Sequence, residues 1–167
     1  MPRPPKVDHI RDDFVAAVDS ATKLYDQVQK VGTIKASTKC DKLHAKHVRR
    51  VIELAFMGIV ASWEEFIERS LVRYLAGAKT NSAYAPSLRL GAAKSIDHAY
   101  QVLTADPEHD YTKHYLSWND PAGVSKLAKL YFEAGHPYAH QLESNHQSLQ
   151  DATKLRNRVA HSSEKCG

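Results

Sequence analysis

The sequence has few cysteines, few glycines and no long apolar run, and each shortage excludes a class of protein. Its two cysteines, Cys40 and Cys166, lie far apart and outside any C-x-x-C pattern, so neither a disulfide framework nor a thiolate metal site is indicated. The longest apolar run, around LAFMGIVA, is too short to cross a bilayer. The seven glycines form no glycine-rich loop for nucleotide phosphates, which argues against nucleotide hydrolysis.

The first residues, MPRPPKVDHIRDDF, carry prolines and charges where a secretory leader would have an apolar stretch. Together with the low cysteine content, this predicts a soluble protein of the reducing cytoplasm, with no membrane partner. The formal net charge is +4, with ten histidines counted as neutral, and the sequence pI is near 9.0. A basic balance of this size weakly favours an anionic partner such as nucleic acid.

Apolar residues recur at three- and four-residue spacing along most of the chain, and no strand-like alternation is present. The predicted helices run from Asp8 to about Val31, from beyond Thr38 to Leu75, from about Ala92 to Leu103, from Asp120 to Gly135, and from Pro137 to the end of the chain. The second period is the longest, and an apolar stripe of its length must pack against other helices. The sequence therefore predicts an all-α fold, an up-and-down bundle of four to five helices around one long central helix, with residues 1–167 as a single domain.

The segment KLRNRVAHSS, residues 154–163, ends the last predicted helix with an unusual set of polar side chains. At about 100° per residue, Asn157 lies about 40° from His161 around the helix, whereas Arg156 lies about 140° from it. Arg156 falls toward the apolar side, where a guanidinium needs an anion. Two interpretations stay open: a salt bridge from Arg156 to a glutamate such as Glu64, with His161 simply exposed, or a nuclease site.

The sequence RNRVAH resembles the R-x(4–6)-H signature of HEPN domains, in the form with Asn directly after Arg and Ala directly before His. VASWEEFIERSLVRYL in the long helix is similar to the corresponding helix of the HEPN branch linked to RNA processing and phage defence. The resemblance implies a metal-independent endoribonuclease that acts as a homodimer, with the two motifs facing each other across a twofold axis. RNA would be cleaved by attack of its own 2′-hydroxyl, which leaves a 2′,3′-cyclic phosphate.

The resemblance also assigns roles to individual side chains. The His161 imidazole would take or return a proton, and Arg156 would hold the nonbridging phosphate oxygens. Asn157 would orient the imidazole or the phosphate, and Glu64 is the candidate carboxylate that fixes Arg156 or His161, with Glu65 and Glu68 as rivals. These implied catalytic residues are Arg156, Asn157, His161 and Glu64.

A second basic feature precedes the long apolar period. In KCDKLHAKHVRR, basic residues recur at helical spacing along one side, namely Lys39, Lys42, Lys46, Arg49 and Arg50. Such a stripe can neutralise several phosphates, although many charge runs are only solvated faces. Lys46, Arg49 and Arg50 are therefore candidate RNA-binding residues, and Arg158 on the last helix is a further candidate that follows the RNA backbone.

Paired histidines raise the alternative of a metal site. His44 and His47 are three residues apart, and His136 and His140 are four apart, but zinc sites normally need three or four protein ligands and no H-E-x-x-H occurs. No metal and no cofactor is therefore predicted.

Two classes of function remain. The chain is either an RNA-cleaving effector of a microbial defence or toxin–antitoxin system, with a possible antitoxin or regulatory protein as partner, or a non-catalytic HEPN-like module that dimerises or binds RNA within a larger assembly. The first is favoured, because Asn157 and Ala160 complete the active form of the signature.

Overall fold

The computed structural model describes residues 6–33, 45–110 and 116–162, and within these residues the fold is all-helical. The six α-helices are α1 (Asp8–Thr33), α2 (Ala45–Leu75), α3 (Ile96–Thr104), α4 (Pro121–Tyr131), α5 (Tyr138–Ser144) and α6 (His146–Ser162). A short 3-10 turn, Glu133–Gly135, follows α4. The only extended pairings in this part of the chain are two isolated bridges, Lys6 with Lys79 and Leu88 with Phe132. The predicted all-α class is confirmed.

The number of helices is one more than the predicted upper limit, because the last predicted helix is divided at Asn145. The Asn145 side chain donates a hydrogen bond from Nδ2 to the carbonyl of Gln141 at 2.9 Å, and its backbone N–H also reaches this carbonyl. These bonds satisfy a carbonyl that α5 leaves unpaired at its end. The Asn145 carbonyl also accepts a hydrogen bond from the N–H of Leu149, in the first turn of α6.

Two helix starts show the capping that their residue types favour. The Asp120 carboxylate accepts a hydrogen bond from the N–H of Ala122 at 3.1 Å, and Pro121 occupies the first helical position of α4, as predicted. Ser95 caps α3 in the same way by accepting from the N–H of His98. The α3 helix therefore begins at Ile96, a few residues later than the periodicity predicts.

The hydrophobic core is concentrated around the C-terminal half of α2. The fully buried residues of α2 all lie between Ile67 and Leu75, and they pack with buried side chains from the other elements. These partners are Val7, Ile10, Ala78, Ala99, Tyr100, Trp118, Val124, Ala128, Tyr131, Phe132, Tyr138 and Leu142. The core therefore includes the aromatic side chains of Trp118, Tyr131, Phe132 and Tyr138.

The start of α1 lies beside the C-terminal half of α2. Phe14 stacks on Phe66 with ring centroids 5.2 Å apart, and Arg69 pairs with both Asp13 and Glu65. The α2 helix also contacts α3 and α6, and α4 contacts α5 and α6. The up-and-down order of the bundle stays a prediction. No helix in the described ranges is both long and apolar enough to span a membrane.

The buried hydroxyl of Tyr138 predicts a sensitivity of stability to alkaline pH. Tyr138 donates to Ser70 Oγ at 2.9 Å, and burial raises the pKa of the Tyr138 hydroxyl well above its ordinary value. Above about pH 10 the unfolded chain loses this proton and the folded chain keeps it, so the free energy of unfolding falls as pH rises.

Tyr138→Phe should therefore be about 1 kcal/mol less stable than wild type at pH 7, where the lost hydrogen bond dominates. That deficit should shrink by up to about 1.4 kcal/mol per pH unit above pH 10. Urea unfolding of both proteins from pH 7 to pH 11 measures this difference in the free energy of unfolding. The contributions of the tyrosines that both proteins share cancel in the difference. A constant difference over this range would contradict the argument.

Candidate functional site

The four polar residues of the RNRVAH segment all lie on α6, but they face different surroundings. Asn157, Arg158 and His161 are exposed. The Arg156 side chain is 32% exposed and lies on the same side as Ala152 and Thr153, which are also partly buried. The helix therefore places Arg156 toward α2 and His161 toward solvent, as the predicted angle between them requires.

Arg156 reaches a carboxylate on the long helix. Its Nη2 lies 3.8 Å from Oε1 of Glu64, whose side chain is 25% exposed. The distance is that of an ion pair and is too long for a hydrogen bond. The Arg156 Nη1 also donates to Oδ1 of Asn157 at 3.4 Å. Glu64 and Asn157 thus flank the guanidinium, while part of its surface stays open to solvent.

Glu64 is the only one of the three candidate glutamates that the structure brings to Arg156. Glu65 accepts a hydrogen bond from Arg69 at 2.8 Å, and Glu68 accepts from the hydroxyl of Tyr100 at 2.7 Å. The Glu64 Oε1 atom is buried and has no hydrogen-bond donor among the described residues. A buried carboxylate oxygen without a donor is costly, and here the charge of Arg156, 3.8 Å away, compensates it in part.

An apolar pocket of about 210 Å³ lies next to the Arg156–Glu64 pair, and we call it the α2/α6 pocket. Its walls come from α1, α2, the start of α4 with the residues just before it, and α6. The lining residues are Phe14, Phe56, Ile59, Val60, Trp63, Glu64, Asn119, Pro121, Leu149, Ala152, Thr153 and Arg156. Glu64 and Arg156 are the two charged residues of this lining, so the pocket combines an apolar interior with one carboxylate and one guanidinium.

A hydrogen bond joins the α6 wall of the pocket to the segment before α4. The Thr153 hydroxyl shares its one hydrogen between two acceptors, the backbone carbonyl of Asn119 at 3.2 Å and that of Leu149 at 3.0 Å. On the wall formed by α1 and α2, Trp63 packs against Phe14 with ring centroids 6.0 Å apart. Sequence reasoning missed this pocket, because its residues come from four distant segments and no local pattern relates them.

The predicted basic stripe lies at the other end of α2. Lys46, Arg49 and Arg50 are exposed near the start of the helix, and Arg50 pairs with Glu53 at 3.5 Å. Fourteen positions at a rise of about 1.5 Å place Arg50 roughly 21 Å from Glu64 along the helix axis. The structure therefore does not bring the stripe next to Arg156 within one chain. Lys39, Lys42 and His44 lie outside the described residues.

The histidine pairs do not build a metal centre in the part of the chain that the structure describes. No three side chains of His, Cys, Asp or Glu there are close enough together to hold a metal ion. His136 and His140 are both exposed, on either side of the start of α5.

The arrangement on α2 and α6 can bind an anion through Arg156, accept a hydrogen bond at Glu64 and exchange a proton at His161. The site can therefore take a ligand that has both an anionic group and an apolar group. No family model, no curated protein and no solved structure matches this chain.

Proposed function

We propose that this chain is a metal-independent endoribonuclease of HEPN type that acts as a homodimer on RNA. Arg156 binds the scissile phosphate, His161 moves the proton, Asn157 orients one of these groups, and Glu64 holds Arg156. The proposal includes the up-and-down bundle around α2, a cytoplasmic location and a role in microbial defence or a toxin–antitoxin system. It extends to control by an antitoxin or regulatory protein.

One observation carries the proposal. The Arg156 guanidinium is held between Glu64 and Asn157 but keeps about a third of its side-chain surface exposed, on the same helix as His161. A guanidinium with remaining N–H donors at the edge of a pocket can bind phosphate oxygens bidentately.

The reaction needs a base, an acid and a cation. A neutral imidazole takes the proton of the 2′-hydroxyl while the 2′-oxygen attacks phosphorus, and the bond to the 5′-oxygen breaks. An imidazolium returns a proton to that oxygen, so the products are a 2′,3′-cyclic phosphate and a 5′-hydroxyl. Arg156 offsets the negative charge that builds on the nonbridging oxygens.

A twofold dimer can bring an imidazole to Arg156, which a single chain does not do. Because Arg156 faces α2 and His161 faces solvent, a single α6 cannot place both groups on one phosphate without rearrangement. A second copy of the chain can bring its own His161 to the exposed edge of Arg156.

The test is cleavage of end-labelled RNA by wild-type protein in EDTA. We expect cleavage in the presence of the chelator, with products that end in a 2′,3′-cyclic phosphate and a 5′-hydroxyl, and a dimer in sedimentation experiments at the same concentration. Loss of activity in EDTA that added metal restores, or a monomer with full activity, would contradict the proposal.

The basic stripe gives a separate prediction about RNA binding. Replacing Lys46, Arg49 and Arg50 together with Gln should reduce the slope of log affinity against log salt by about 2, because each phosphate contact on a single strand contributes about 0.7. A matched control replaces the exposed residues Lys79, Lys94 and Lys126 with Gln, which removes the same charge elsewhere. Equal slopes for the two triple variants would reject the stripe as an RNA contact.

The alternative is a non-catalytic HEPN-like module for dimerisation or RNA binding within a larger assembly. The 3.8 Å contact between Arg156 and Glu64 favours it, since the same pair can simply tie α6 to α2. RNA binding or dimerisation without cleavage, unchanged in the Arg156→Ala variant, would establish this alternative.

A further inference from the structure

The α2/α6 pocket has a size and a composition that limit what it can hold. Its volume of about 210 Å³ is below the roughly 300–1,000 Å³ of pockets for drug-sized ligands, so it fits one flat ring system better than a whole nucleotide. Phe14, Phe56 and Trp63 line it together with aliphatic side chains. Aromatic and apolar walls of this kind bind the faces of unstacked bases.

The polar edge of the pocket favours a ligand that donates hydrogen bonds. Glu64 lines the pocket, and its buried Oε1 has no donor among the described residues. The nearest cation, Arg156 Nη2, is 3.8 Å away and compensates the charge without supplying a hydrogen bond. A neutral ring with N–H groups on one edge would satisfy the carboxylate inside an otherwise apolar space.

We propose that the α2/α6 pocket binds a guanine base of single-stranded RNA, whose N1–H and N2–H groups donate to the Glu64 carboxylate once a rotation of its side chain turns both oxygens toward the pocket. The inference rests on the proposed function, because RNA is the substrate. It adds a base preference to the site, which the signature on α6 does not specify.

Guanine is the base whose pairing edge matches a carboxylate. It presents two adjacent donors, N1–H and N2–H, to the two oxygens of one carboxylate. Cytosine and adenine present one amino group beside a ring acceptor, and uracil presents one N–H between two carbonyl acceptors. Each of these three would set a lone pair against a carboxylate oxygen, which is unfavourable next to apolar walls.

The position of Arg156 relates the bound base to the cleaved bond. Arg156 lines the same pocket and keeps part of its surface in solvent, so it can contact a phosphate attached to the bound nucleoside. Cleavage should therefore occur next to guanosine. The guanidinium also offsets the repulsion between the Glu64 carboxylate and the RNA backbone.

The experiment measures binding without cleavage. Four fluorescein-labelled tetranucleotides of sequence UUNU, with 2′-O-methyl groups in place of the attacking hydroxyls, are titrated with the full chain and followed by anisotropy. We expect the oligonucleotide with guanine to bind at least about tenfold tighter than the other three, the discrimination that a bidentate contact typically gives. In Glu64→Gln, which offers one acceptor and one donor, the preference should fall to about twofold or less.

Two further variants test whether the guanine preference comes from the pocket. Glu65→Gln is the matched control, because Glu65 is adjacent in sequence but pairs with Arg69 outside the pocket, and it should keep the guanine preference. Ala152→Leu adds volume to the pocket wall without changing charge, and it should also abolish the preference. If circular dichroism shows that Glu64→Gln does not fold, Ala152→Leu serves as the test variant.

The outcomes separate this inference from the proposed function. Guanine preference that depends on Glu64, in a protein that cleaves no RNA, would support the pocket and refute the nuclease. Cleavage without base preference, or a preference that Glu64→Gln leaves intact, would overturn the pocket and leave the nuclease standing. Preference for another base, or no binding of any tetranucleotide, would also overturn it.

Discussion

Replacing His161 with Ala is expected to slow RNA cleavage by roughly 10²- to 10⁴-fold, the contribution typical of a positioned acid or base. Because His161 is exposed near the end of α6, its loss should change the free energy of unfolding by less than about 0.5 kcal/mol. Replacing Arg156 with Ala is expected to cost roughly 10²- to 10³-fold, since the developing phosphate charge loses its cation. Single-turnover cleavage of labelled RNA in EDTA measures both effects.

The control for these variants is Lys154→Ala. Lys154 is an exposed cation two residues before Arg156 and pairs with Asp151 at 3.3 Å, so its removal tests the general effect of positive charge on α6. Its cleavage rate should stay within a few-fold of wild type. Arg156→Lys keeps the charge but loses the planar fork, and it should remain strongly impaired. Equal rates for all these variants would indicate a contaminating nuclease.

Replacing Phe132 with Ala is expected to lower the free energy of unfolding by about 3–5 kcal/mol. Phe132 is 0% exposed at the end of α4, and its ring packs against Tyr138 with centroids 5.9 Å apart. Truncation to Ala leaves a large cavity in the centre of the core. Because a domain has only about 5–15 kcal/mol of stability, much of it would be lost. Urea unfolding at pH 7 gives the difference.

Leu130→Ala is the matched control for the core substitution. Leu130 lies two positions earlier on α4 and is 55% exposed, so its truncation should cost less than about 0.5 kcal/mol. If the two variants lose similar stability, the core does not lie where the structure places it.

The parts of the fold that the sequence predicted are those controlled by local chemistry. Asp8 begins α1 and Leu75 ends α2 as the apolar periods indicate, and Asp120 with Pro121 starts α4. The division of the last helix at Asn145 was missed. Nothing in its apolar spacing marks a break, and the hydrogen bonds of Asn145 to Gln141 become recognisable only once the backbone is placed.

The candidate site was predictable in one respect and not in another. The helical angle of Arg156 suggested a glutamate of the long helix as its partner, with Glu64 as one candidate among three, and the structure places Arg156 3.8 Å from Glu64. The α2/α6 pocket depends on how α1, α2 and α6 pack together. A contact between distant segments leaves no periodic signal in a single sequence, so neither the apolar walls nor the buried Glu64 oxygen could be foreseen.

The uneven burial of α2 determines where the protein opens first. Between Ala45 and Phe66 no side chain of this helix is fully buried, whereas Ile67–Leu75 holds the core. Amide hydrogens of the first part should therefore exchange with solvent through local opening at a lower free energy than those of the second. The residues of α2 that line the pocket fall between Phe56 and Glu64, in this less buried part of the helix. A ligand that binds only while this part is helical would therefore slow hydrogen exchange there. Ligand binding in the α2/α6 pocket would therefore stabilise the first part of the same helix whose second part holds the core.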